Sequence, residues 1–263
     1  MSDYRYRRKS GRWIFVPESE GPYKISRTKI EDFSRCPRCF YLDQRLGIGR
    51  PSLPAFALNV AVDALMKKEF DTHRAKGSQH PLMKHYGIDA VPFPHKDIEV
   101  WRNNRQGIQF VHEKTNLLIT GAVDDVWVNP KGELIIVDYK ATSKAGSINL
   151  DEGWGPSYKK QIEVYQWLFR KNGFPVARTG YFVYCNGDKD KEAFDGKLEF
   201  NVEIITHEGN DSWVEPAIIE LKKCLLGELP PLSENCEYCM YRKEASSEEN
   251  KKSARRASQR SLF

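Results

Sequence analysis

Apolar residues recur at helical spacing before Gly107 and at the two-residue period of strands after it, so this chain must fold as a mixture of helices and sheet. Ile108 to Glu113, the turn Lys114-Thr115-Asn116, Leu117 to Val128, the turn Asn129-Pro130-Lys131-Gly132 and Glu133 to Ala141 read as a three-stranded meander. Upstream, Ser26 reads as the N-cap of a helix running to about Leu46. Ala55, Leu58, Val62, Leu65, Met66 and Phe70 predict a second helix over Ala55 to Lys76, with these residues facing inward. Downstream, Tyr158 to Lys171 reads as an amphipathic helix, Tyr181 to Cys185 and Leu198 to Ile205 as strands, and Trp213 to Leu226 as a closing helix. At 263 residues and 40% hydrophobic content, the chain can bury the core of one elaborated domain.

Two acids interrupt the apolar strands. Asp138-Tyr139-Lys140 ends one run, and Asp124 lies one hairpin earlier. Alternation along a strand sends Asp138 and Lys140 to one face and Tyr139 to the other, leaving the Tyr139 carbonyl available. Two carboxylates and a lysine on adjoining strand ends suit a hard divalent cation and a phosphodiester. Asp124 and Asp138 would then hold the metal, while Lys140 orients water and steadies charge on the phosphate. The plainer alternative is a pair of edge carboxylates neutralised by Lys140.

Gly121-x-x-Asp124, Asp138-Tyr139-Lys140 and Gln161-x-x-x-Tyr165, in that order, resemble the PD-(D/E)xK nuclease superfamily, particularly its RecB-like branch, over roughly Ser26 to Arg242. The resemblance implies an α+β (α/β) restriction-endonuclease-like core, a central mixed sheet flanked by helices. It also implies Asp124, Asp138 and the Tyr139 carbonyl as ligands of Mg2+ or Mn2+, Lys140 as the catalytic lysine, and Gln161 and Tyr165 as residues meeting DNA or supporting the site. Its natural substrate is single-stranded or frayed DNA in repair or recombination, with exonuclease or endonuclease polarity open. The branch usually carries Gly-x-x-x-His on the early helix; here the stretch is Asn59-Val60-Ala61-Val62-Asp63, and Asp63 is the candidate replacement ligand. Without it, a catalytically weak DNA-binding scaffold is the alternative.

Cys36-Pro37-Arg38-Cys39 and Cys236-Glu237-Tyr238-Cys239 have metal-ligand spacing. Four thiolates suit zinc or an iron-sulfur cluster, and either would staple the first helix to the last ordered turn. Several RecB-like nucleases carry a [4Fe-4S] cluster, so the resemblance favours that group, although its usual distribution is one early cysteine and three late ones. Cys185 and Cys224 read as packing thiols, and the six histidines lack ligand spacing.

Basic residues crowd both ends of a chain whose net charge is +5: residues 1–22 read as a basic arm, and 243–263 as a disordered tail. The tail closes on Gln259-x-Ser261-Leu262-Phe263, similar to the pentapeptide that holds the bacterial sliding clamp, with Arg260 departing from the commoner leucine. No apolar stretch could span a bilayer and no signal region follows the start, so a cytoplasmic location with no membrane partner is expected.

Overall fold

A computed structural model describes residues 8–51 and 57–260, with 253–260 described by backbone alone. In chain order the elements are β1 (Tyr23–Ser26), α1 (Arg27–Arg35), α2 (Pro37–Gln44), α3 (Ala57–Lys76), α4 (Pro81–His85), β2 (Val91–Pro92), α5 (Ile98–Arg102), β3 (Ile108–His112), β4 (Leu117–Gly121) and β5 (Asp125–Val128). They continue with β6 (Leu134–Thr142), α6 (Gly155–Lys171), β7 (Thr179–Gly187), β8 (Phe200–Glu208), α7 (Val214–Leu226) and α8 (Glu237–Arg260). These form two compact units. One comprises the described residues of Met1–Tyr23, Thr28–Leu53 and Ala217–Phe263; the other comprises those of Lys24–Arg27 and Pro54–Pro216.

Both sheets are ordered around the strands of the second unit: β1-β4-β3 in one, β2-β5-β6-β7-β8 in the other. β6 and β7 run parallel, with α6 as the crossover between them. A parallel strand covered on both faces reads as an unbroken apolar run, and Leu134-Ile135-Ile136-Val137 is buried throughout. Its residues Ile135, Val137 and Tyr139 enter a core with Met66 and Phe70 of α3 and Trp127 of β5. Phe70 stacks on Trp127 with ring centroids 5.4 Å apart.

The meander expected from Ile108 to Ala141 is corrected. Leu117 to Val128 is two strands: β4 pairs with β3, β5 pairs with β6, and the chain changes sheets across Ala122-Val123-Asp124. Val123 anchors the crossing, because its side chain is buried and its N–H donates to the Trp101 carbonyl at 3.1 Å. The first expected helix also divides. Cys36 is extended (φ −160°, ψ 99°) because Pro37 disfavours helical backbone in the residue before it, so α1 and α2 are separate. On α3 the inward side is a single row at four-residue spacing, Val62, Met66, Phe70 and Arg74, while Leu58 and Leu65 are 54% and 63% exposed.

Residues 243–260, expected to be disordered, continue α8. Their composition lacks apolar surface but is rich in the helix formers Glu, Lys, Arg and Ala, and Lys251 pairs with Glu248 at 2.7 Å. Gln259 falls in the final turn of α8, and Ser261, Leu262 and Phe263 lie outside the described residues. Among the described residues no helix is long and apolar enough to cross a membrane.

Glu215, in the first turn of α7, gathers three donors: His112 Nε2 at 2.8 Å, Trp167 Nε1 at 3.2 Å and Lys171 Nζ at 3.1 Å. Burial works to raise its pKa, but His112 and Lys171 outweigh it and bring the carboxyl down to about 2. An acid depressed by folding contributes stability above its unfolded pKa and loses it as the pH falls through the folded value. Glu215→Gln is therefore expected to melt at lower temperature than wild type at pH 7. The two curves should converge as the pH approaches about 2, which thermal melts across that range would register.

Candidate active site

Asp138 and Lys140 project from the same face of β6, as alternation requires, and Lys140 Nζ donates to Asp138 Oδ2. Asp138 is fully buried. Its other oxygen accepts Gln161 Nε2 at 2.7 Å, and the same nitrogen lies 3.2 Å from the Tyr165 hydroxyl one helical turn along α6. Tyr139 points to the opposite face, where its hydroxyl donates to Asp125 Oδ2 at 2.7 Å. Asp124 meets β6 at the neighbouring backbone step, with Oδ2 accepting the Tyr139 N–H at 3.0 Å. A second lysine joins the group from α3: Lys67 Nζ lies 3.2 Å from Asp124 Oδ1 and 2.7 Å from Asp63 Oδ2.

Burial is the largest influence on Asp138, and the Asp124 carboxylate adds to it; Lys140 and Arg27 oppose them, leaving the acid pushed up to about 7. Burial also disfavours the Lys140 ammonium, yet Asp138 and Asp124 hold its pKa above the ordinary lysine value. Asp63 is raised by burial and by Asp124 against the pull of Lys67. Asp138 thus keeps its proton at a pH where an ordinary aspartate has lost it, and a bound cation would replace that proton. Carboxylate oxygens are the donors a hard divalent ion requires. The Lys67 ammonium seated between Asp63 and Asp124 demonstrates that this space accepts positive charge.

Gly121 is explained by contact rather than by backbone conformation. A Cβ there would stand 2.6 Å from Tyr165 Cε1 and 3.0 Å from Leu168 Cδ1, so only glycine lets α6 approach β4 closely enough to set Gln161 on Asp138. Sequence reasoning missed four residues of this neighbourhood. Lys67 was legible as the i+4 partner of Asp63. Tyr158, whose ring centroid is 4.5 Å from Lys140 Nζ, and Arg27, which lies against Tyr165, had no local signal. Asp125, adjacent to Asp124, faces the opposite way into a buried cluster with Arg74, Arg102 and Tyr139.

Within the other unit, Cys36, Cys39, Cys236 and Cys239 are buried together. Their sulfur atoms all lie within 4.8 Å of one another, and among the described residues this is the group of cysteine, histidine and acidic side chains close enough to share one ion. The donor set accommodates zinc or an iron-sulfur group.

No curated protein matches this chain. Among solved structures, that of SSO0001 is similar at TM-score 0.42 and 17% sequence identity, covering 86% of each chain, a likeness too low to carry an argument. The family model for the PD-(D/E)XK nuclease superfamily matches residues 24–243. That span takes in β6, the strand crossing that carries Asp124, and the helix that presents Gln161 and Tyr165, so the chain belongs to the PD-(D/E)XK nuclease superfamily.

Proposed function

We propose that this protein is a divalent-metal-dependent nuclease that hydrolyses phosphodiester bonds in DNA, with single strands or frayed ends as its substrate and repair or recombination as its setting. The observation that supports this best is the meeting of Asp124 and Asp138 at one strand end, the first fixed to the Tyr139 N–H and the second to Gln161 and Lys140. Mg2+ or Mn2+ held by Asp124 and Asp138, with the Tyr139 carbonyl beside them, would polarise the scissile phosphate, and Asp63, which meets Asp124 only through Lys67, would close in as a third carboxylate when the ion displaces that ammonium. Lys140 keeps a proton at Nζ, orients water towards phosphorus and offsets charge gathering on the phosphate oxygens. Gln161 holds Asp138 at the angle from which both of its oxygens are used. Trp154, 56% exposed at the start of α6, offers a face on which a base can stack.

A second reading has its own support. Because Lys67 already bridges Asp63 and Asp124, the domain could bind DNA without cleaving it and act as a scaffold, recruited to the sliding clamp through Gln259, Ser261, Leu262 and Phe263. Full-length protein with Mg2+ or Mn2+ and end-labelled single-stranded and duplex DNA separates the two. Faster cleavage of the single strand, stopped by a chelator, supports the enzyme; DNA retained intact in either metal supports the scaffold. Pull-down by purified clamp should fail once Gln259 to Phe263 are deleted.

Lys67 also makes a quantitative prediction. If its ammonium competes with the metal for Asp63 and Asp124, Lys67→Met should lower the Mg2+ concentration for half-maximal cleavage by about 2- to 5-fold, the worth of one partly exposed ion pair. Metal titration of wild type and variant reads this directly. A need for more metal would instead make Lys67 a holder of the acids.

A further inference from the structure

We propose that Cys36, Cys39, Cys236 and Cys239 bind a single zinc ion in a tetrahedral site, not an iron-sulfur cluster. Disulfides do not account for the group: all four cysteines are free, and the sulfurs of Cys36 and Cys239 and those of Cys39 and Cys236 are each 3.6 Å apart, well beyond a bond of about 2.05 Å. Zinc–sulfur bonds of about 2.3 Å in a tetrahedron put neighbouring sulfurs about 3.8 Å apart. The two 3.6 Å separations and the 3.9 Å from Cys39 to Cys239 bracket that edge, and all four sulfurs stay within 4.8 Å. In a four-iron cube each thiolate caps a different iron, with sulfides between them, so the cysteine sulfurs must stand much farther apart. The spacing of these four sulfurs is that of ligands to one ion.

The local backbone leads to the same assignment. Each pair presents its first cysteine just before a helix and its second in the first turn, at α2 and at α8. In the first pair the second cysteine's N–H donates to the first cysteine's sulfur, from Cys39 to Cys36 at 3.4 Å. The first cysteine's carbonyl accepts from four residues on in both, at 3.0 Å from Phe40 and 3.0 Å from Met240. Two copies of one chelating turn, each contributing two sulfurs, form a symmetric four-sulfur cage. Arg50 lies against Cys39 and over the Tyr238 ring at 4.8 Å, where its guanidinium offsets the negative charge of a zinc tetrathiolate. Binding exchanges thiol protons for the ion and requires no oxidant or reductant. Because the cage joins residues 197 positions apart, the ion holds this unit closed.

The assignment does not depend on the nuclease reading and is tested without it. Full-length protein is expressed with both iron and zinc supplied, purified without oxygen, and analysed for metal, acid-labile sulfide and visible absorbance. The expected result is about one zinc per chain, no sulfide and no colour. Cys236→Ser should lose the zinc, while Cys185→Ser, which alters a cysteine outside the cage, should keep it. A strong chelator should strip wild type and lower its Tm by about 10 °C or more. Iron and sulfide in near-equal amounts, with a brown visible band, would overturn the proposal. So would metal-free protein with the same Tm before and after chelator, and both readouts use wild type alone, so a variant that fails to fold leaves the decision intact.

Discussion

Asp138→Asn and Lys140→Met are each expected to reduce DNA cleavage by about 10³-fold or more under single-turnover conditions, a loss of roughly 4 kcal/mol of transition-state stabilisation. Asparagine keeps the shape of Asp138 and can still meet Gln161, but it removes the charge that would hold a cation and the oxygen that receives the Lys140 proton. Methionine fills the Lys140 stem beside Tyr158 and removes its donors. Because the two side chains bond to each other, they act as one device, and the double variant should be little slower than either single one. Thermal melts guard the interpretation, since each variant should remain folded. Full cleavage by either variant would remove the proposed chemistry, and multiplicative losses in the double variant would show that the two residues work separately.

Much of this site was legible because a strand's alternation is local. Asp138, Tyr139 and Lys140 could be assigned to faces from three consecutive residues, and Gln161 and Tyr165 to one side of a helix from their spacing of four. The family resemblance rested on those same residues, and the family match covers all of them. What stayed hidden depended on distant partners or on continuity of pattern. Between Leu117 and Val128 the interruption at Asp124-Asp125 reads equally as a ligand on one continuous strand and as a change of sheets; what decides is the carbonyl of Trp101, distant in sequence. Pro37 did mark the break between α1 and α2, but the apolar residues on either side outweighed it in a reading by periodicity. Over 243–260 a low apolar content was taken for disorder, although helix propensity in a charged segment does not require a buried face. The glycine of Gly121-x-x-Asp124 has no local explanation at all, because what it makes room for is Tyr165 on another element.

Neighbouring acids should separate these two kinds of residue experimentally. Asp124→Ala removes a carboxylate whose partners are one backbone N–H and the partly exposed Lys67, so its stability cost should stay near 1 kcal/mol while cleavage falls by about 10³-fold. Asp125→Ala should do the reverse. Asp125 is wholly buried and accepts from Arg74, from Arg102 Nη2 at 3.1 Å, from the Tyr139 hydroxyl at 2.7 Å and from Trp127 Nε1 at 3.3 Å. Removing it takes the buried acid from two guanidiniums whose side chains are 8% and 6% exposed and leaves them the half-exposed Asp71 as their shared carboxylate, and breaking a buried ion pair in this way costs about 3–5 kcal/mol. A domain with about 5–15 kcal/mol of stability loses a large share of it. Urea midpoints give the stability of each variant, and cleavage normalised to the folded fraction gives its activity. If Asp124→Ala destabilises as much as Asp125→Ala, Asp124 is a structural acid, and the carboxylate pair assigned to the metal reduces to Asp138 alone.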